Sequence, residues 1–143
     1  MTDHENYRDD ALIRILRETR TIAMVGASVN TARPSNGVLR FLLAKGYRVF
    51  PVNPGHVGKE IAGVPVFGRL ADVPEAIDLV DIFRRPEAVG GVVDEVLRLH
   101  PLPKVIWMQL GIRDDAAAAR AEAAGLTAIM NRCLKIEYSR LMG

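Results

Sequence analysis

The chain has 143 residues, 49% hydrophobic and 25% charged, with a formal net charge of +2 and a pI near 8.9. That length fits one domain able to bury a full core. The charge excess is too small, and Lys/Arg runs are too few, for a nucleic-acid surface. No apolar run approaches the ~20 residues of a membrane helix, and the single cysteine, Cys133, excludes an internal disulfide. The start Met1-Thr2-Asp3-His4-Glu5-Asn6 is too polar for a secretion signal. A cytoplasmic protein in a reducing compartment is expected.

Helical and strand patterns alternate along the chain. Leu12, Ile13, Ile15 and Leu16 recur at helical spacing behind Asp9-Asp10, whose charges favour a helix start. Thr21 to Val25 reads as a first buried strand running into the turn Gly26-Ala27-Ser28. Ser35, after Pro34, is expected to cap a second helix that reaches Lys45. Val38, Leu39, Leu42 and Leu43 form its buried face, and Gly46 ends it. Tyr47 to Val52 is a second strand, closing on Asn53-Pro54.

Prolines and glycines from Pro54 to Pro74 argue against a long regular element, leaving the short apolar patch Val64-Pro65-Val66-Phe67. Leu79 to Phe83 is a third strand, and Pro86 suits the first turn of the next helix. Val89, Val93, Val96 and Leu97 mark that helix's core side. Gly90 and Gly91 each cost it about 1 kcal/mol relative to alanine, which close packing on the sheet would explain. Val105 to Met108 is a fourth strand. Asp114-Asp115 open an alanine-rich helix closed by Gly125, Thr127 to Met130 is a fifth strand, and Ile136 to Leu141 a short last helix.

Strands alternating with crossover helices give a parallel sheet covered on both faces, and right-handed crossovers make it doubly wound. The expected architecture is α/β, one domain over 1–143, with five parallel strands in the order 3-2-1-4-5. Ligands on such sheets bind beyond the carboxyl ends of the strands, at the switch point. That gathers Gly26-Ala27-Ser28, Asn53-Pro54, Phe83-Arg84-Arg85, Gln109-Leu110-Gly111 and Asn131-Arg132-Cys133 around one crevice.

Gly26-Ala27-Ser28 is a fragment of a phosphate turn, in which amides and a helix dipole face an anion. It is equally the turn that any doubly wound domain needs. The full dinucleotide fingerprint is absent, with Thr31 where its third glycine would stand, and there is no Gly-Lys-Ser/Thr loop. An NAD site also carries Asp or Glu at the end of the second strand to hold the ribose hydroxyls, and here stands neutral Asn53. Arg33, before Pro34, is either a phosphate ligand or a solvated loop cation. In Phe83-Arg84-Arg85, Arg84 is the better candidate for an anion, and Phe83 packs either on an adenine or in the core.

Gly111 lets the backbone approach a ligand, or simply turns the chain. Trp107 belongs to the core. Catalytic equipment is thin: His4, His56 and His100 are scattered, only His56 falls near the crevice, and Ser28 has no base partner. No metal-ligand spacing occurs. Cys133 is either a buried inert side chain or, if exposed beside Arg132 and a helix start, a thiol of lowered pKa.

These segments, taken jointly, resemble the small stand-alone CoA-binding proteins, related to the N-terminal CoA-binding domain of the succinyl-CoA ligase alpha subunit. The pieces are Val25-Gly26-Ala27-Ser28, Arg33-Pro34-Ser35, Gly46-Tyr47, Val52-Asn53-Pro54, Gly63-Val64-Pro65-Val66, Val80-Asp81-Ile82-Phe83-Arg84, Trp107-Met108-Gln109-Leu110-Gly111, Ala124-Gly125-Leu126 and Asn131-Arg132-Cys133. Their order and spacing carry the resemblance, from about Leu12 to the C-terminus.

The resemblance implies a Rossmann-like fold with coenzyme A, or an acyl-CoA, as the ligand. Gly26, Ala27 and Ser28 would hold the pyrophosphate region, Asn53 and Pro54 would border the nucleotide, and Phe83 and Arg84 would flank it. Gln109, Leu110 and Gly111 match the pantetheine side. The ligases carry a lysine at about the position of His56, for which Lys59 is the nearest substitute, and a second domain with a phosphorylated histidine, so ligase activity is not expected here. CoA carries roughly four negative charges at neutral pH, which Arg33, Arg84, Arg132 and a helix N-terminus would offset.

The expected function is therefore CoA or acyl-CoA binding without catalysis, with no nucleic acid or membrane involved and no protein partner named. Two alternatives stand beside it: an NAD(P)-binding oxidoreductase-type domain, and a redox protein in which Cys133 exchanges with the CoA thiol.

Overall fold

Short apolar runs separated by helices build the protein in the computed structural model, which describes residues 2–143. In chain order the elements are α1 (Asp9–Glu18), β1 (Thr21–Val25), α2 (Pro34–Ala44), β2 (Arg48–Val52), β3 (Glu60–Ile61), β4 (Val64–Pro65), β5 (Leu79–Ile82), α3 (Pro86–Val96), β6 (Val105–Met108), α4 (Asp115–Ala123), β7 (Thr127–Ile129) and α5 (Leu134–Leu141). Short 3-10 turns at Pro54–His56 and Leu70–Asp72 flank the small β3–β4 hairpin.

Five strands form one parallel sheet in the order β2-β1-β5-β6-β7. The α/β, doubly wound, Rossmann-like reading therefore holds, but the order 3-2-1-4-5 does not. The third long strand, β5, lies between β1 and β6 instead of outside β2. Its expected place is taken: Phe67 N–H donates to Pro51 O and Asn53 N–H to Phe67 O, so residues 66–67 run along the outer side of β2. Asp78 then fixes β5 against β1, its carboxylate accepting from the backbone N–H groups of Arg20 and Thr21.

Every residue of β1, β5 and β6 is buried, as a parallel sheet covered on both faces requires. On one face Leu12 and Leu16 of α1, Val38, Leu39 and Leu42 of α2 and Leu134 of α5 pack with Met24 and Trp107. On the other, Val89, Val92, Val93 and Val96 of α3 and Ala117, Ala118 and Ala121 of α4 pack with Ala23, Val80 and Ile106. Trp107 is a core residue, its indole N–H donating to Arg132 O.

Three local expectations change. Arg33, not Ser35, is the N-cap residue of α2, with Pro34 at the first helical position; Ser35 is buried and its hydroxyl turns back to the preceding loop. Gly90 and Gly91 do not press on the sheet. A Cβ on Gly91 would meet nothing within 4 Å, and one on Gly90 would meet Arg120 of α4 at 3.4 Å. The last helix begins at Leu134, two residues before its first expected residue.

Residues 2–7 form an arm across the ends of β6 and β7. Tyr7 Oη accepts from Met130 N–H at 2.8 Å, His4 bridges Tyr7 and Glu122, and Arg132 donates to Glu5 O. The hydrogen bonds from His4 and Thr2 hold the Glu122 carboxyl below its usual range despite burial acting the other way.

Candidate functional site

The strand order places the switch point between β1 and β5, whose outgoing connections lead to opposite faces of the sheet. There the chain ends of the two strands nearly touch. Gly26 has φ +85, and a Cβ on it would lie 2.2 Å from Phe83 O, so this crossing admits only glycine. The Arg84 side chain lies over the same point, with Cδ 3.1 Å from that missing Cβ.

A cleft of about 340 Å³ opens beside this crossing, lined by Gly26, Ser28, Arg33, Pro34, Ser35, Asn53, His56 and Phe83. Six of the expected site residues thus share one cleft, with Arg84 flanking it and exposed Pro54 just outside. No carboxylate lines it. Among the described residues neither Arg33 nor Arg84 makes an ion pair, whereas six other arginines do. His56 Nδ1 is buried without a hydrogen-bond partner. Larger hollows lie at the amino ends of the strands, about 510 and 450 Å³, and under the N-terminal arm, about 830 Å³. None has the glycine crossing or stands at the switch point, although Arg17, Arg20 and Lys45 line the 450 Å³ hollow.

The loop from Gly26 to Arg33 is held by its neighbours. Ser28 N–H donates to Ser35 Oγ at 3.0 Å, Asn36 Nδ2 donates to Ser28 O at 2.9 Å, and Asn53 Nδ2 donates to Ala27 O at 2.9 Å. Ser35 and Asn36 are 4% and 2% exposed, polar side chains on the inward face of a helix. Their clamping role went unread in the sequence, where polarity at the start of a helix signals a cap. The loop also satisfies its own amides: Gly26 N–H goes to Val52 O, Asn30 N–H to Ser28 Oγ and Ala32 N–H to Asn30 Oδ1. Several N–H groups expected to face an anion are thus taken, and Ala27 is fully buried and does not line the cleft, its carbonyl being held by Asn53.

The remaining expected residues form a second group at the ends of β6 and β7. Gln109 is 5% exposed and its Oε1 accepts from Leu134 N–H, so its amide faces α5. Leu110 is 59% exposed, and Gly111, at φ +86, turns the chain beside it. Asn131 Oδ1 accepts from Gly111 N–H, tying the two strand ends together. Arg132 is engaged by the arm: it donates to the carbonyls of Asn131 and Glu5 and stacks 4.9 Å from the Tyr7 ring centre. Cys133 is the N-cap residue of α5 and packs in the core, 9% exposed. At about 4.8 Å per strand, the two groups lie roughly 10 Å apart along the strand ends.

Among the described residues no helix is long and apolar enough to cross a membrane, and no cluster of His, Cys, Asp and Glu could hold a metal ion.

A family model described as a CoA binding domain matches residues 20–139. YneT from Bacillus subtilis (strain 168) is 34% identical over 125 residues, 87% of this chain and 90% of YneT. Among solved structures, a protein from Pyrococcus horikoshii OT3 matches with a TM-score of 0.91 at 33% identity, covering 100% of this chain and 98% of its own. The cell-free ID.343 protein from Thermus thermophilus matches at 0.89 with 38% identity, over 94% of this chain and 99% of its own.

Proposed function

The chain belongs to the CoA binding domain family, and on that premise we propose that it binds coenzyme A or an acyl-CoA at the carboxyl ends of β1, β2 and β5, holding the ligand without transforming it. The observation that carries this reading is the charge of the cleft. Arg33 lines it, Arg84 overhangs it, neither has an acidic partner among the described residues, and no carboxylate lines the wall. A ligand with roughly four negative charges suits that imbalance.

Because much of the loop backbone is already hydrogen-bonded, the guanidinium groups carry most of the anion recognition, helped by the amino end of α2. His56 supplies a nitrogen with no partner of its own. The rest of the ligand would run along the strand ends towards β6, where exposed Leu110 offers an apolar surface. Ser28 Oγ already accepts from Asn30 N–H, and among the described residues no imidazole is hydrogen-bonded to it, which supports a holding role.

Calorimetric titration with CoA tests the reading. R33A and R84A are each expected to weaken binding about tenfold, the loss of roughly 1.4 kcal/mol of charge-assisted contact. Both should also flatten the dependence of affinity on salt. Wild-type affinity retained in the double variant would contradict it.

A further inference from the structure

We propose that Asn53 sets the preference of this cleft for a nucleotide whose ribose carries a phosphate, by keeping the end of β2 neutral and by pinning the loop opposite. The inference rests on the CoA reading and deepens it.

Both ends of the Asn53 amide are used. Nδ2 donates to Ala27 O and Oδ1 accepts from Gly55 N–H, each at 2.9 Å. The orientation is fixed by these partners, since a flipped amide would set N–H against N–H and oxygen against oxygen. Asn53 thus joins the end of β2 to the loop after β1 across the cleft that both line.

The end of the second strand is where a dinucleotide site places an acid to accept from ribose hydroxyls. An acid there repels a ribose phosphate. Aspartate at position 53 could still accept from Gly55 N–H, but its second oxygen would meet Ala27 O with no proton between them. The loop would be released and a negative charge would enter a cleft otherwise lined by Arg33 and His56. Lys59 follows in the same turn, its N–H donating to His56 O, and adds a further cation near this end. A phosphomonoester on the ribose fits such surroundings, and no carboxylate lines the cleft to accept from a bare diol.

The experiment compares CoA with 3′-dephospho-CoA on the full chain, by calorimetry, for the wild type, N53D and N53A. The wild type is expected to bind CoA about tenfold more tightly than dephospho-CoA, the scale of one favourable charge contact. N53D should bring the two ligands to within about twofold of each other, the added charge cancelling that contact. N53A, which frees the loop without adding charge, should weaken both ligands by one common factor and keep their ratio.

Equal wild-type affinity for the two ligands overturns the inference without any variant. An N53D that keeps the wild-type ratio overturns it as well, reducing Asn53 to a clamp. If the wild type binds neither ligand, the CoA reading itself has failed, an outcome distinct from a ratio that does not move.

Discussion

Asp81 lies in the middle of β5, between Met24 of β1 and Trp107 of β6, fully buried and with neither oxygen hydrogen-bonded. Burial pushes its carboxyl well above the usual range, so it is held as the neutral acid. An unfolded aspartate titrates near about 3.9. The stability Asp81 contributes is therefore complete below that pH and is lost as pH rises towards its folded value. The loss is about 1.4 kcal/mol per pH unit. D81N keeps the shape and removes the titration. In urea unfolding series started at pH 4 and taken upward, D81N should gain on the wild type as pH rises above the unfolded value, until the folded carboxyl itself ionises. A difference that stays flat across the series would mean that Asp81 is not the neutral buried acid described. The sequence showed Asp81 only as one letter in an apolar strand, and charge there is ordinarily turned outward.

At the scale of elements, the N-terminal arm is held by polar contacts together with Tyr7, which packs partly buried against the core. Tyr7 is its anchor: burial raises the pKa of its hydroxyl, which accepts from Met130 N–H and is hydrogen-bonded to His4. Y7F leaves a partly buried backbone N–H without an acceptor, at a cost of about 1–3 kcal/mol. The melting temperature should fall by roughly 3–10 °C for a chain of this size. An unchanged melting temperature would show that the arm is not fastened there. Nothing in the polar stretch from Thr2 to Tyr7 announces such a strap, because its partners, Arg113, Glu122 and Arg132, lie more than a hundred residues away. The arm explains why Arg132, expected at a ligand, is occupied elsewhere.

For the whole molecule, alternating apolar runs and helical periods were enough to give a doubly wound parallel sheet, because burial on both faces writes itself into β1, β5 and β6 as apolar runs interrupted only by Thr21 and Asp81. Strand order was not legible from that pattern, since 3-2-1-4-5 and the observed order obey the same crossover rule and bury similar strands. One signal did exist. Pro51 cannot donate to a ladder and so marks β2 as an edge strand, which excludes a third strand hydrogen-bonded regularly along its far side. The site followed the same limits. Gly26, Asn53, Phe83 and Arg84 were readable because strand ends and cations are local features. The clamps Ser35 and Asn36 were not, because their partners depend on how a loop folds back. The separation into two groups at the strand ends follows from placing β5 between β1 and β6.

The central claim is that this cleft recognises CoA by its charge. Native mass spectrometry of the purified chain, with CoA and NADP added separately and then together, tests it most directly. The account expects a one-to-one CoA adduct that persists against excess NADP. An NADP adduct that CoA fails to displace would contradict it.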